Sequence, residues 1–180
     1  MLLRELAVVG TFIVELEPAR DERGFFARTF SVRDLRERGL ALEIAESSVS
    51  FNLVRGTLRG MHYQKEPHGE VKLVRCTQGA IWDAVVDMRE GSPSYLGWCA
   101  EELSADNRRA LYIPRGCAHG FVTLTDGAEI LYDISTPYVA SAAAGVRWDD
   151  PALGIAWPIV PVRMSARDAA FPLLCPRRSP

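Results

Sequence analysis

Long apolar runs are missing from this chain: none approaches the eighteen or so residues that a membrane-spanning helix needs. Met1 to Gly10 carries Arg4 and Glu5 where a secretory leader would be continuously apolar, so the sequence predicts a cytoplasmic protein. Excess charge is also missing, with 21 Lys and Arg against 23 Asp and Glu and a formal net charge of −2. That balance lacks the electrostatic footprint of a nucleic-acid or anionic-membrane binder and leaves small molecules as the expected partners. The four cysteines, Cys76, Cys99, Cys117 and Cys175, are irregularly spaced without a Cys-x-x-Cys pair, which favours buried free thiols over a disulfide framework or a zinc site. Histidine is scarcer still, and His62, His68 and His119 are too scattered to form a convergent metal-ligand set. There is no internal repeat, low-complexity tract or linker.

What is present suits one globular domain over residues 1–180, since 48% hydrophobic and 24% charged residues can bury a sizeable core without disulfides or metal. Short β-rich runs recur with turn signals between them: Leu6 to Leu16, Phe25 to Phe30, Leu42 to Leu53, Glu70 to Cys76, Ala80 to Met88, Tyr95 to Leu103, Ala110 to Ile113, Phe121 to Leu124 and Ala128 to Ser135. Such spacing predicts an all-β sandwich or barrel. The clearest helix is short and peripheral, capped by Ser31, charged from Arg33 to Arg38 and stopped by Gly39. Pro151 to Pro161 holds Ile155, Trp157 and Ile159 and reads as a packed extended strap, and Pro176 to Pro180 as a frayed end.

Three stretches carry candidate chemistry. In Gly56 to Gln64, Arg59 and His62 are three residues apart and would point to opposite faces of a regular strand. A bulge at Gly60 would turn both toward one cavity; the competing reading is a hydrogen-bonded structural histidine. Next, Glu70, Lys72, Val74 and Cys76 share a strand face, with Lys72 among apolar neighbours. It either snorkels to the rim or points inward to meet a developing oxyanion or a phosphate. Finally, Pro114-Arg115-Gly116-Cys117-Ala118-His119 makes a tight turn that delivers His119 to the start of a strand. That pattern is half of a cupin metal signature, but the paired histidines and glutamate of the other half are absent.

Five blocks occur in order: Asp21-Glu22-Arg23-Gly24-Phe25-Phe26, Leu58 to Gln64, Lys72 to Arg75, Ile113 to Phe121, and Ser165-Ala166-Arg167-Asp168. Together they closely resemble the dTDP-4-dehydrorhamnose 3,5-epimerase family across nearly the whole chain. The resemblance implies a cupin-type jelly roll with a few short peripheral helices, a homodimer with exchanged N-terminal strands, and neither metal nor other cofactor. It implies epimerisation at C3 and C5 of dTDP-4-dehydro-6-deoxy-D-glucose to dTDP-4-dehydro-L-rhamnose. That reaction needs a base for the proton next to the ketone, a group to stabilise the enolate and an acid on the opposite face.

By the same resemblance His62 is the base, Asp168 its orienting carboxylate, Lys72 the cation at the ketone oxygen and Tyr132 the acid. Arg23, Arg59, Arg167 and His119 match positions around the sugar and diphosphate, and Tyr138 and Phe26 are aromatics for the nucleotide base. Read without the resemblance, Asp168 could equally be a helix N-terminal carboxylate capped by Ser165, and Tyr132 a core residue. The chain departs from the family's pattern at Arg28, where an acidic residue is usual, around Glu46, Ser47 and Ser48, and at Ala143. These departures keep the proton-transfer set while leaving open a 3-epimerase, another 4-keto nucleotide sugar, or a noncatalytic nucleotide-sugar-binding cupin. Arg28 is therefore included among the candidate binding residues, in its own pocket or a partner's.

Overall fold

In the computed structural model, which describes residues 1–174, the chain opens with two strands in place of the single one expected over Leu6 to Leu16. β1 (Leu2–Glu5) and β2 (Phe12–Glu15) pair antiparallel. The residues between them turn back on themselves, Leu6 N–H donating to Thr11 O and Thr11 N–H to Val8 O. The next element is a hairpin of β3 (Ala19–Asp21) and β4 (Gly24–Phe26), ending four residues before the expected Phe30. α1 (Val32–Arg36) starts as expected at Ser31, whose Oγ accepts from Asp34 N–H at 3.2 Å, and stops two residues short of Arg38, with Gly39 at φ +70°.

From β5 (Glu46–Asn52) onward the chain crosses repeatedly between two sheets, through β6 (Leu58–Gln64), β7 (Lys72–Gln78), β8 (Ala80–Asp87), β9 (Trp98–Ser104), β10 (Ala110–Ile113), β11 (Cys117–Thr123), β12 (Ala128–Ile134) and β13 (Ala143–Gly145). One sheet has the order β1-β2-β10-β7-β12-β5 and the other β13-β6-β11-β8-β9. Sequence neighbours such as β6 and β7, or β11 and β12, thus lie across the sandwich from one another. The named ladders are antiparallel, and the result is a cupin-type jelly roll. α2 (Ala166–Ala169) closes the described elements. The thiol expected at Cys175 and the fraying expected over Pro176 to Pro180 fall outside the described residues.

Three apolar layers hold this together. Between the sheets Ile13, Val74, Ile81, Val85, Leu103, Leu111, Phe121 and Ile130 pack, with Cys76, Cys99 and Cys117 among them as free thiols. Burial pushes those thiols up, to about 11, about 11 and about 12, so they are inert packing groups at neutral pH. Outside the six-stranded sheet Leu3, Val14, Leu73 and Tyr112 pack beneath Leu35 of α1 and Leu42, the residue from which a strand was expected. The strap of residues 151–161 covers the other sheet with Leu153, Ile155 and Trp157, and Trp157 Nε1–H donates to Trp148 O at 2.8 Å.

Candidate active site

A cavity of about 650 Å³ is walled by both sheets and by the segment around α2. Arg59 and His62 enter from β6, His119 from β11, Lys72 from β7, Tyr132 from β12, Ser48 and Ser50 from β5, and Arg163, Arg167 and Asp168 from the C-terminal segment. A smaller chamber of about 200 Å³ shares His62, Lys72, Ile134 and Arg167 with it and extends to Tyr138 and Ala143. The two spaces therefore meet at His62 and Lys72.

Arg59 and His62 face the same cavity because β6 is bulged between them. His62 pairs with His119 and Arg59 with Phe121, so β6 spends three residues where β11 spends two. Gly60 makes this possible: its φ is +143°, and a Cβ there would lie 2.5 Å from Gly120 Cα on the neighbouring strand. The bulge also frees Gly60 N–H to donate to Asp168 Oδ2 at 3.2 Å.

The other Asp168 oxygen accepts from His62 Nε2 at 2.7 Å, across 106 residues of sequence. Asp168 is at once a cap residue, since its N–H donates to Ser165 Oγ at 3.0 Å, and the histidine's partner. The two readings of the sequence are both realised, because the cap uses the backbone and leaves the carboxylate free. Burial lowers the His62 pKa below its ordinary value, and the Asp168 hydrogen bond opposes this only in part, so the ring is neutral at pH 7. With Nε2–H committed to Asp168, Nδ1 of the neutral ring carries the free lone pair.

Lys72 points inward. Its Nζ lies 2.8 Å from Glu70 Oε1 and 3.5 Å from His62 O, with both side chains of the ion pair buried. Tyr132 comes from the opposite sheet to His62. Burial pushes its phenol up, with the buried Asp83 carboxylate adding in the same direction, so it stays protonated throughout the neutral range. His119 is the third residue of β11, at the strand start to which the turn was expected to deliver it; the strand begins at Cys117, four residues before the expected Phe121. Its Nε2 sits 2.6 Å from Asp83 Oδ1, off the axis of the ring N–H.

Arg59 Nε donates to Asn52 Oδ1 at 2.8 Å, which fixes the guanidinium at the cavity wall. Arg167 and Tyr138 line the smaller chamber. Three candidates do not join them within this chain: Arg23 pairs with Asp21 on the exposed hairpin, Phe26 is 79% exposed, and Arg28 is exposed just beyond it.

The family model described as dTDP-4-dehydrorhamnose 3,5-epimerase matches residues 5–175. The chain belongs to this family. A dTDP-4-dehydrorhamnose 3,5-epimerase of Sinorhizobium fredii is 38% identical over 176 residues, covering 97% of this chain and 90% of that protein. A dTDP-4-dehydrorhamnose 3-epimerase of Streptomyces niveus is 37% identical over 179 residues, covering 99% and 86%. The crystal structure of dTDP-4-dehydrorhamnose 3,5-epimerase from Elizabethkingia anophelis superposes with a TM-score of 0.93 at 34% identity, covering 96% of each chain.

Within this epimerase family fold, four features in or behind the cavity wall escape a reading of the sequence. Asp83 is fully buried in an apolar strand, and a carboxylate inside a β run is a signal that could have been read. Asn52 against Arg59 depends on how β5 and β6 meet, whereas Glu70, just ahead of β7, pairs with Lys72 two residues on, a contact that their shared face already allowed. Arg163 reaches the cavity because its backbone bridges to Thr57, a contact with no local signature.

Proposed function

We propose that this chain epimerises C3 and C5 of dTDP-4-dehydro-6-deoxy-D-glucose, giving dTDP-4-dehydro-L-rhamnose, without a metal or other cofactor. The observation that carries this is the placement of His62, with Asp168 behind it, and Tyr132 on opposing sheets of one cavity. Epimerisation removes a proton from one face of a carbon and returns one to the other, so base and acid must flank the ring. His62 Nδ1 takes the proton. Lys72 stabilises the enolate oxygen more than the ketone and so lowers the barrier, and Tyr132 reprotonates. Arg59, Arg163 and Arg167 give the cavity a surplus of fixed cations that suits a diphosphate, with His119 beside the sugar and Tyr138 for the base.

Turnover in D2O tests the assignment. Deuterium at both C3 and C5 is the expected result. Deuterium at C3 alone would make the chain a 3-epimerase, the reading favoured by the Streptomyces niveus relative. No incorporation from any 4-keto nucleotide sugar would overturn the class.

The unit of function is a homodimer in the cytoplasm, each chain acting as one domain. An uncovered apolar strip, Val49 and Phe51 on the edge strand β5 with Leu53 just beyond it, supports the dimer, as does the exposed hairpin that carries Arg23 and Phe26, with Arg28 following it, away from the chain's own cavity. The free buried thiols suit a reducing compartment, and no helix among the described residues is long and apolar enough to cross a membrane.

A further inference from the structure

His62 is built into a sheet, but its partner Asp168 stands on a four-residue helix that cannot hold its own orientation. The Ser165 cap fixes the start of α2, and the segment after the helix, residues 170–174, fixes its end. Phe171, three residues after Asp168, seats its ring against Gly145, where an added Cβ would overlap Phe171 Cζ and lie 2.6 Å from Met61 O. Gly145 is the residue of β13 paired with His62. The Phe171 ring therefore sits in a slot beside the histidine and meets it edge-on, with centroids 5.8 Å apart and planes at 65°. Arg167 lies over the same ring at 5.8 Å, and Leu174 N–H ties the segment down on Asp150 Oδ2 at 2.5 Å.

We propose that Phe171 is a positioning residue for the His62–Asp168 pair: its ring, held in the slot left by Gly145, pins α2 against β6 and β13 and keeps water from that side of the imidazole. The kinetic side of this inference rests on the function proposed above; the structural side does not. The charged and titratable groups lining the two spaces with His62 are Asp168 and Arg167 from α2, Arg163 ahead of it, Lys72 from β7 with Glu70 just before it, His119 from β11, Tyr132 from β12, Glu46 from β5, Tyr63 and Arg59 on its own strand and Tyr138, while Ala143, Ala144 and Gly145 of β13 bring none. Phe171 carries no charge. Its removal therefore changes only hydration and geometry: added hydration moves a buried histidine toward easier protonation and a loosened Asp168 hydrogen bond moves it the other way, and because desolvation is the larger influence on His62 the net expected direction is upward.

The test is to titrate the His62 imidazole by NMR and to measure kcat and KM in wild type, Phe171→Ala and Phe171→Leu. Phe171→Ala is expected to raise the His62 midpoint by about half a pH unit. It should lower kcat about tenfold, through loss of near-attack geometry, and leave KM within about twofold. Phe171→Leu, which refills most of the slot, restores both. Should Phe171→Ala not fold, Gly145→Ala, which drives the ring out of its slot, is expected to shift the midpoint the same way. An unmoved midpoint in a folded Phe171→Ala, or in a folded Gly145→Ala where the former does not fold, overturns the proposal. So does a kcat loss that Phe171→Leu does not relieve. The NMR reading uses no substrate, so failure of the epimerase assignment and failure of this inference are separable.

Discussion

In the proposed mechanism, proton removal depends on which nitrogen of one imidazole is free. Asp168 accepts Nε2–H of His62 and so leaves Nδ1 without a proton, as the carboxylate of a catalytic triad fixes the tautomer of its histidine. His62→Ala is expected to lower turnover by about 10²–10⁴-fold while nucleotide affinity, measured by calorimetry, stays within a few-fold. A noncatalytic binder would bind as before and have no turnover to lose. The signs of the two shifts set the pH profile. The base works deprotonated, and burial lowers the His62 pKa, so kcat/KM should be on its plateau by pH 7 and be lost as pH falls through a value below 6.5. The acid works protonated and its pKa is raised, so no Tyr132 limb should appear until above pH 10, and Tyr132→Phe should lower turnover by about 10²–10⁴-fold while the residual activity keeps the same acid limb. For Lys72→Met, the expected loss is about 10²–10³-fold in kcat with KM little changed, because the ammonium matters most to charge that develops in the transition state.

At the level of elements, the bulge in β6 converts a strand into a site. A regular strand would send Arg59 and His62 to opposite faces. One extra residue realigns them and exposes an N–H for Asp168. Gly60→Ala places a Cβ against the Gly120 backbone in a conformation with φ +143°, and is expected to cost about 2–4 kcal/mol in denaturant unfolding along with turnover. Gly24→Ala is the control: φ is +129° there too, but nothing lies within 4 Å, so about 1–2 kcal/mol of backbone strain is expected and the catalytic pair is untouched. α2 shows a complementary economy, its cap using the Asp168 backbone and its chemistry the Asp168 side chain.

Across the whole molecule, one chain assembles the proton-transfer set and leaves part of the binding set outside it. Arg23, Phe26 and Arg28 ride on a hairpin held to the body by modest contacts, with Phe25 between the guanidiniums of Arg20 and Arg108 at 5.5 and 5.0 Å. If these residues serve a partner's cavity, sedimentation should give a dimer, and Phe51→Asp should shift it toward monomer. Arg23→Ala and His62→Ala chains, each impaired alone, should regain activity when co-refolded, since one mixed site then holds both residues. Absence of any regain would place Arg23 in its own chain's site.

The sequence by itself determined the architecture and the inventory of reactive groups. Alternating β runs specify two-faced strands, the charge is balanced overall, and five ordered blocks specify the family. Ser31 as a cap and the bulge at Gly60 were legible because each is a local rule about the backbone, whereas the residues alone left Lys72 either at the rim or inward and the fold turned it inward. Boundaries were less legible. The split between β1 and β2 depends on a turn closed by its own backbone bonds, and the early start of β11 depends on pairing with β8, whose partner residues are distant in sequence. Only the tertiary structure decided what each reactive group touches: Asp83 against His119, Asn52 against Arg59, Arg163 beside Thr57, and Phe171 beside His62. The physical reason is that period-two patterning tells which face a side chain occupies, while sheet order and register, set by burial of the whole core, decide which faces meet.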